Sequence, residues 1–217
     1  MGEGITHIVS SSSAAWCGWT MLGILLCGVL GELFQPGVIS QTKDSFRVQG
    51  DRVYKESPNN FMGQLMISLF RLGTISMAVY LCTEASVFSF TGFWVIFGMA
   101  FAVVLVKMVC NLCVDYAFNL SRRFGDAYEH YGNIVTMATL VLYPVLLVLM
   151  RFGTPLTNRW IIGSIGILFM GVWMYRFFRQ FVISLRAVLY LLVYACTLEV
   201  LPWVTLYILS DQTISII

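Results

Sequence analysis

Apolar runs, each close to the length of a membrane-spanning helix, recur along the chain and limit what it can fold into. A transmembrane helix needs about 20 predominantly apolar residues to cross the hydrocarbon core of a bilayer. Such runs occur at about 14–34, 61–83, 90–114, 134–150, 160–178 and 187–209. The sequence therefore predicts an all-α, polytopic integral membrane bundle of about six transmembrane helices. The runs and their links fill residues 1–217, which we expect to form a single transmembrane domain.

Composition supports a membrane protein and excludes one class of partner. Only 11% of the residues are charged, against about 25% in a soluble domain. The net charge of +2 comes without a basic cluster, so nucleic acid is not an expected partner. The lipid bilayer is the principal expected partner.

Basic residues in the predicted links set the expected orientation. Residues 35–60 form a polar loop with four Lys or Arg, and the links 115–133 and 179–186 and their edges add five. The outward segments carry two, both in the link 151–159. The positive-inside rule then places both termini outside. Asn133 is the expected start signal of the fourth span.

Two ionisable residues are predicted at the same depth inside the membrane. At a rise of 1.5 Å per residue, Glu199 lies about 16 Å and Arg71 about 15 Å from the inner surface. We therefore expect them to pair across spans six and two. Three interpretations stay open: a structural ion pair that fixes helix register, a proton- or ion-coupled site, and a protonated, unpaired glutamic acid. Pro202, three residues after Glu199, is expected to kink its helix.

A polar stripe is predicted on the third span. Lys107, Asn111, Asp115 and Asn119 follow one another at intervals of four residues, which places them on one helix face running to the inner surface. The stripe indicates either a hydrogen-bonded seam between helices or a water-filled vestibule or docking edge. Lys107 is a second, less favourable partner for Glu199.

Small residues are expected to form a contact face on the first span. Gly23, Cys27 and Gly31 are spaced by four, a pattern that lets another helix approach closely. The approaching helix belongs either to this chain or to another membrane protein, including a second copy.

Enzyme chemistry has little support in the sequence. The two histidines, His7 and His130, are predicted on opposite sides of the membrane. No zinc-protease, nucleophile-elbow or phosphate-loop motif is present, and the acidic residues are scattered. Most cysteines, including the pair Cys110 and Cys113, fall in apolar runs and are interpreted as reduced small hydrophobes. We predict no catalytic residue, no cofactor and no metal site.

The segment YACTLEVLPW, from Tyr194 to Trp203, carries a resemblance to a known family. It resembles the C-terminal LYLCTLEILP signature of integral membrane proteins from Bacteroidota known as domain of unknown function 4271. Cys196, Thr197, Glu199 and Pro202 stand in register with that signature. The resemblance implies an inner-membrane location and about six spans. With that location, the outside predicted for both termini is the periplasm. It brings no established activity, and so no catalytic residue.

The sequence favours a non-enzymatic inner-membrane subunit or assembly factor of a cell-envelope system. Expected protein partners are other envelope membrane proteins or a second copy of the chain. The alternative is a small transporter or ion- or proton-coupled channel that uses Arg71, Glu199 and Lys107.

Overall fold

The fold is a bundle of long helices, seen in a computed structural model that describes residues 11–36, 61–83, 89–118, 121–181, 204–206 and 208–209. For 11–14, 111–118, 121–131 and 176–181 only the backbone is described. The long helices are α1 (Ser11–Phe34), α2 (Phe61–Cys82), α3 (Phe90–Phe118), α4 (Ser121–Phe152) and α5 (Pro155–Phe181).

All five long helices are long and apolar enough to cross a membrane. Successive helices run in alternating directions, as expected when each link between two helices lies on one side of a bilayer. The predicted helical membrane bundle is therefore confirmed, and the chain is a multi-pass membrane protein. The predicted sixth span, 187–209, lies mostly outside the described residues, and only its last part, in 204–206 and 208–209, is described as helical.

Helix α2 lies at the centre of the described bundle. Residues of α1, α3, α4 and α5 all contact it, and 56% of its span is buried, against 11% for α5. The core around it contains fully buried Met77, Ile96 and Leu146 from α2, α3 and α4. Among the described helices, α2 is therefore the one most enclosed by protein rather than by lipid.

Close contact between α1 and α2 depends on glycine. We call Gly28 and Gly31 of α1, with Gly63 and Gly73 of α2, the glycine seam. A Cβ added at any of them would lie 2.7–2.9 Å from a side-chain atom of the facing helix or, for Gly63, of the residue that follows this helix, closer than real Cβ contacts. The facing atoms belong to Phe70, Ile67, Gln35 and Ile24, respectively. Because the four glycines have no side chain, the two antiparallel backbones approach closely.

The predicted small-residue face of α1 is only partly correct. Gly31 lies in the seam, but Gly23 is exposed, with no atom within 4 Å of the position that a Cβ would take. Cys27 lies at the edge of the core. The contact face follows Cys17, Met21, Ile24, Gly28 and Gly31, an alternation of four and three residues that keeps one stripe facing a neighbour.

The predicted link 115–133 is mostly helical. Helix α3 continues to Phe118 and α4 begins at Ser121, so Asn133 lies inside α4 rather than at its start. The 29 and 32 residues of α3 and α4 give lengths of about 44 and 48 Å, against about 30 Å for the hydrocarbon core. Polar residues stop a hydropathy run without stopping a helix.

The excess length of α3 and α4 lies at one end of the bundle. With 22 residues, α2 is about 33 Å long and just spans the core. The C-terminal end of α2 lies beside the start of α3, as the hydrogen bond from the Ser89 N–H to the Tyr80 hydroxyl at 2.8 Å shows. We call this end the outer end, following the orientation predicted from loop charges. Both long helices therefore extend past the opposite, inner end.

The link between α4 and α5 is also shorter than predicted. It comprises residues 153–154, and α5 begins at Pro155 rather than near residue 160. The Thr154 hydroxyl accepts the N–H of Thr157 at 3.3 Å. A threonine N-cap followed by proline at the first helical position is a favourable helix start. Asn158 and Arg159 consequently lie in the first turns of α5.

Candidate functional site

Arg71 projects from α2 into the bundle. Its residue is partly buried, and its terminal nitrogens lie 3.5 and 3.8 Å from the position that a Cβ would take on Gly132 of α4. Helical side chains point toward the N-terminus of their helix, which for α2 is the inner end. The guanidinium is therefore displaced from the depth of its own Cα toward the inner surface.

Lys107 faces the interior from α3. It is only 8% exposed and lies about two turns after Ala100, on the buried face that also includes Ile96. Because α3 is continuous to Phe118, Asn111 and Asp115 follow Lys107 on the same side of the helix, as their spacing predicts. Their side chains lie outside the described part of the structure. A buried ammonium in a membrane helix is costly and usually has a specific role.

Glu199 and Pro202 lie outside the described residues, so the Arg71–Glu199 pair stays a prediction. The described end of the sixth span gives partial information about where that segment runs. Leu206 is 1% exposed and clusters with Leu72 of α2 and Ala100 of α3. Leu72 directly follows Arg71 in the sequence. The end of the predicted sixth span therefore packs against the helix that carries Arg71.

A hydrogen bond within the span joins α4 to α1. The Tyr143 hydroxyl donates to the backbone carbonyl of Met21 at 2.9 Å, and both are buried. The Tyr143 ring also contacts Phe70, with centroids 5.9 Å apart. Tyrosine in an apolar core needs such a partner for its hydroxyl. The bond fixes α1 against α4 and offers no group for chemistry.

A second polar cluster closes the outer end of α2. We call it the outer clamp: the Asn158 side-chain amide donates to the Leu81 carbonyl at 3.1 Å, and Arg159 Nε donates to the Cys82 carbonyl at 2.7 Å. The last carbonyls of a helix lack intrahelical partners, and the end carries partial negative charge that favours a cation. The clamp supplies both a donor and a positive charge.

Gly153 makes room for the outer clamp. A Cβ at this position would overlap the Oδ1 of Asn158 and would lie 2.5 Å from the carbonyl oxygen of Leu149. Asn158 is 4% exposed, and its Oδ1 has no hydrogen-bond partner among the described residues. Only glycine leaves the amide where its nitrogen reaches α2.

The sequence interpretation missed the outer clamp because it placed the helix start too late. Thr154 and Pro155 were the signal that could have found it, since a threonine cap with proline at the first helical position starts α5 before Asn158. The pairing itself joins residues 77 positions apart in the sequence. No periodicity could have indicated that Leu81 and Cys82 are the acceptors.

The geometry offers structural polar contacts and two inward-facing cations. The described residues contain no group of three or more His, Cys, Asp or Glu side chains that could hold a metal ion. Arg71 and Lys107 are suited to bind an anion or a carboxylate. The outer clamp and Tyr143 hold helices together through backbone carbonyls.

Comparisons with known proteins agree with the architecture and supply no activity. Neither the comparison with curated proteins nor that with solved structures yields a match. One family model matches residues 18–209. The match covers most of the chain, including α2 to α5 and all of α1 except its first residues. The chain belongs to the family described as Domain of unknown function (DUF4271).

Proposed function

We propose that the protein is a non-enzymatic subunit or assembly factor of a cell-envelope system, in the inner membrane of a bacterium of the Bacteroidota. Its role is to hold other membrane proteins, or a second copy, through helix faces that its own fold leaves uncovered. Both termini lie in the periplasm, as the excess of basic residues in the inward links favours.

The observation that carries the proposal is a set of glycines on outward-facing helix surfaces. In the glycine seam, four glycines let α1 and α2 approach each other closely. Six further glycines within the helices are exposed and have no atom within 4 Å of a Cβ position: Gly18, Gly23, Gly98, Gly163, Gly166 and Gly171. Glycine destabilises a helix, so its presence indicates a place where another backbone has to approach closely. Small residues mark helix–helix interfaces in membranes.

Helix α5 is the strongest candidate for the contact surface. It has the least buried span of the described helices, and three of the open glycines lie on it. Gly163 and Gly171 are separated by about two helical turns, and Ile167 between them is 76% exposed. These three residues form one stripe against which a partner helix fits closely.

The test is affinity purification from native membranes in a mild detergent. We compare wild type, a Gly163→Leu/Gly171→Leu variant that fills the stripe, and Ile167→Leu as a control of equal volume on the same face. The proposal expects a stoichiometric partner, or self-association, in wild type and the control, and its loss in the double variant. A chain that runs alone in all three forms would overturn it.

A transporter or ion-coupled channel is the second candidate, favoured by the inward-facing Arg71 and Lys107. Ionisable groups inside spans mark ion and proton pathways. Under this alternative, Glu199→Gln abolishes flux into proteoliposomes while the purified protein keeps its thermal stability. Under the subunit proposal, the same variant leaves co-purification of the partner unchanged.

A further inference from the structure

We infer that the exposed aromatic side chains at the outer end form an interface with lipid, at the boundary between headgroups and acyl chains of the outer leaflet. The surface, which we call the aromatic belt, comprises Trp16 and Trp19 of α1, Phe90 and Trp94 of α3, and Trp160 of α5. Its occupant is the bilayer itself rather than a partner protein.

The rings of the aromatic belt touch across two helices. Trp16 and Phe90 have centroids 5.0 Å apart, and Phe90 meets Trp94 edge-on at 5.9 Å. These rings nevertheless stay open on their outer side, since Trp16 is 53% exposed and Trp94 is 52% exposed. The contacts therefore create one continuous aromatic surface on the edge formed by α1 and α3.

Exposed tryptophans recur at one level around the bundle. Trp16, Trp94 and Trp160 lie in the first two turns of α1, α3 and α5, which all begin at the outer end. Trp160 is 72% exposed. A binding site for a protein concentrates its aromatic anchors in one central patch. A ring of exposed indoles on several helices is typical of a membrane–water interface, where the indole has both an apolar face and a polar N–H.

The opposite end lies at the distance that a bilayer requires. From Trp16 to Phe34, the last residue of α1, the helix rises about 27 Å, close to the hydrocarbon thickness of about 30 Å. Phe34 and Phe61 are 45% and 74% exposed at the inner end. The two aromatic levels therefore bracket one hydrocarbon core.

The aromatic belt limits where proteins can bind. The edge formed by α1 and α3 faces lipid near the outer surface, so a partner helix has to use another face. On α5 it has to bind inward of Trp160, along Gly163, Ile167 and Gly171. The belt also fixes depth along α3, where Lys107 lies about 20 Å below Trp94. That places Lys107 in the inner part of the membrane.

The test is depth-dependent quenching of tryptophan fluorescence in proteoliposomes of phosphatidylcholine. The lipid carries either a nitroxide on the headgroup or bromines at carbons 6,7 or 11,12. The variants are Trp16→Phe/Trp94→Phe, each single substitution, and Trp173→Phe as the matched control, because Trp173 is 5% exposed. Phenylalanine keeps the ring contacts, and the single variants serve if the double variant does not fold.

In wild type, shallow quenchers are expected to act about twofold more strongly than bromines at carbons 11,12, as interfacial indoles require. Removing Trp16 and Trp94 lowers the fraction of quenchable emission. Removing Trp173 raises it, because a buried emitter is lost. The inference is overturned if the double variant keeps the wild-type fraction, as when a second copy covers these rings, or if the deepest bromines quench most.

Discussion

Gly153→Ala tests whether the outer clamp needs a glycine beside it. The added methyl group would overlap Asn158 Oδ1 and crowd the Leu149 carbonyl, so the side chain or the backbone has to move. Overpacking of this kind costs about 1–3 kcal/mol, and loss of the bond from Asn158 to Leu81 adds about 1 kcal/mol. We therefore expect destabilisation of about 2–4 kcal/mol.

The matched control is the same substitution at Gly163, ten residues further along the chain. No atom lies within 4 Å of its Cβ position, and alanine is a better helix former by about 1 kcal/mol. Gly163→Ala should leave stability unchanged or slightly raised. Two glycines that hydropathy treats alike are thus expected to respond differently to the same substitution.

The assay is thermal unfolding in detergent, followed by size-exclusion chromatography of heated samples. At about 2–4 °C per kcal/mol for a chain of this size, Gly153→Ala should lower the apparent Tm by at least about 4 °C. In an Asn158→Ala background the penalty should shrink, because the overlapping amide is gone and neighbouring sites are not additive. Equal Tm values for Gly153→Ala and Gly163→Ala would refute the reasoning.

Three further predictions concern the bundle interior. Gly31→Leu should prevent close approach of α1 and α2 and abolish the folded monomer, while Gly23→Leu, on the open face, should fold normally; yield and monodispersity in detergent measure both. Tyr143→Phe should cost about 0.6 kcal/mol, the average for interhelical hydrogen bonds in a membrane protein, and at most about 1.7 kcal/mol; a Tm unchanged within error would contradict the bond to α1. If Arg71 and Glu199 form a buried pair, removing the charge of either one should lower the free energy of unfolding by about 3–5 kcal/mol. Exchanging the two residues should restore part of that stability. An exchanged variant no more stable than either single variant would exclude the pair.

Hydropathy locates apolar runs because it reports the solvent around a helix. Where α2 ends near residue 82, the apolar run and the helix end together. Where α4 begins, they do not, since Ser121 to Asn133 is polar yet helical. Arginine, glutamate and alanine are good helix formers in water, so leaving the membrane does not end a helix there.

The contacting face of each span was harder to predict than its position. In α1 the residues at 23, 27 and 31 and those at 24, 28 and 31 are both spaced for a helix stripe. Only the second contains Ile24 and Gly28, which meet Gly73 and Phe70 of α2. In an evenly apolar helix no polar side marks the outside, so the partner helix decides the rotation.

The candidate polar site shows the same division between what periodicity determines and what tertiary contacts determine. The spacing placed Lys107 on one face of its helix, and burial shows that this face turns inward. The spacing could not indicate that the Arg71 guanidinium lies beside Gly132, because the reach of the long side chain sets the depth of its charge in the membrane. The outer clamp depends on two helix ends meeting, which local sequence does not encode.

The two proposed functions place different demands on the polar groups. At the outer end, Asn158 and Arg159 donate to backbone carbonyls, a fixed arrangement suited to holding helices together. The inward-facing cations lie further in, at Arg71 and Lys107. Replacing a buried ion pair by apolar residues of similar size is often neutral or stabilising when the pair is structural. An Arg71→Met/Glu199→Leu protein that still assembles with its partner therefore indicates a subunit, whereas one that assembles and has lost flux indicates that the charges act on an ion.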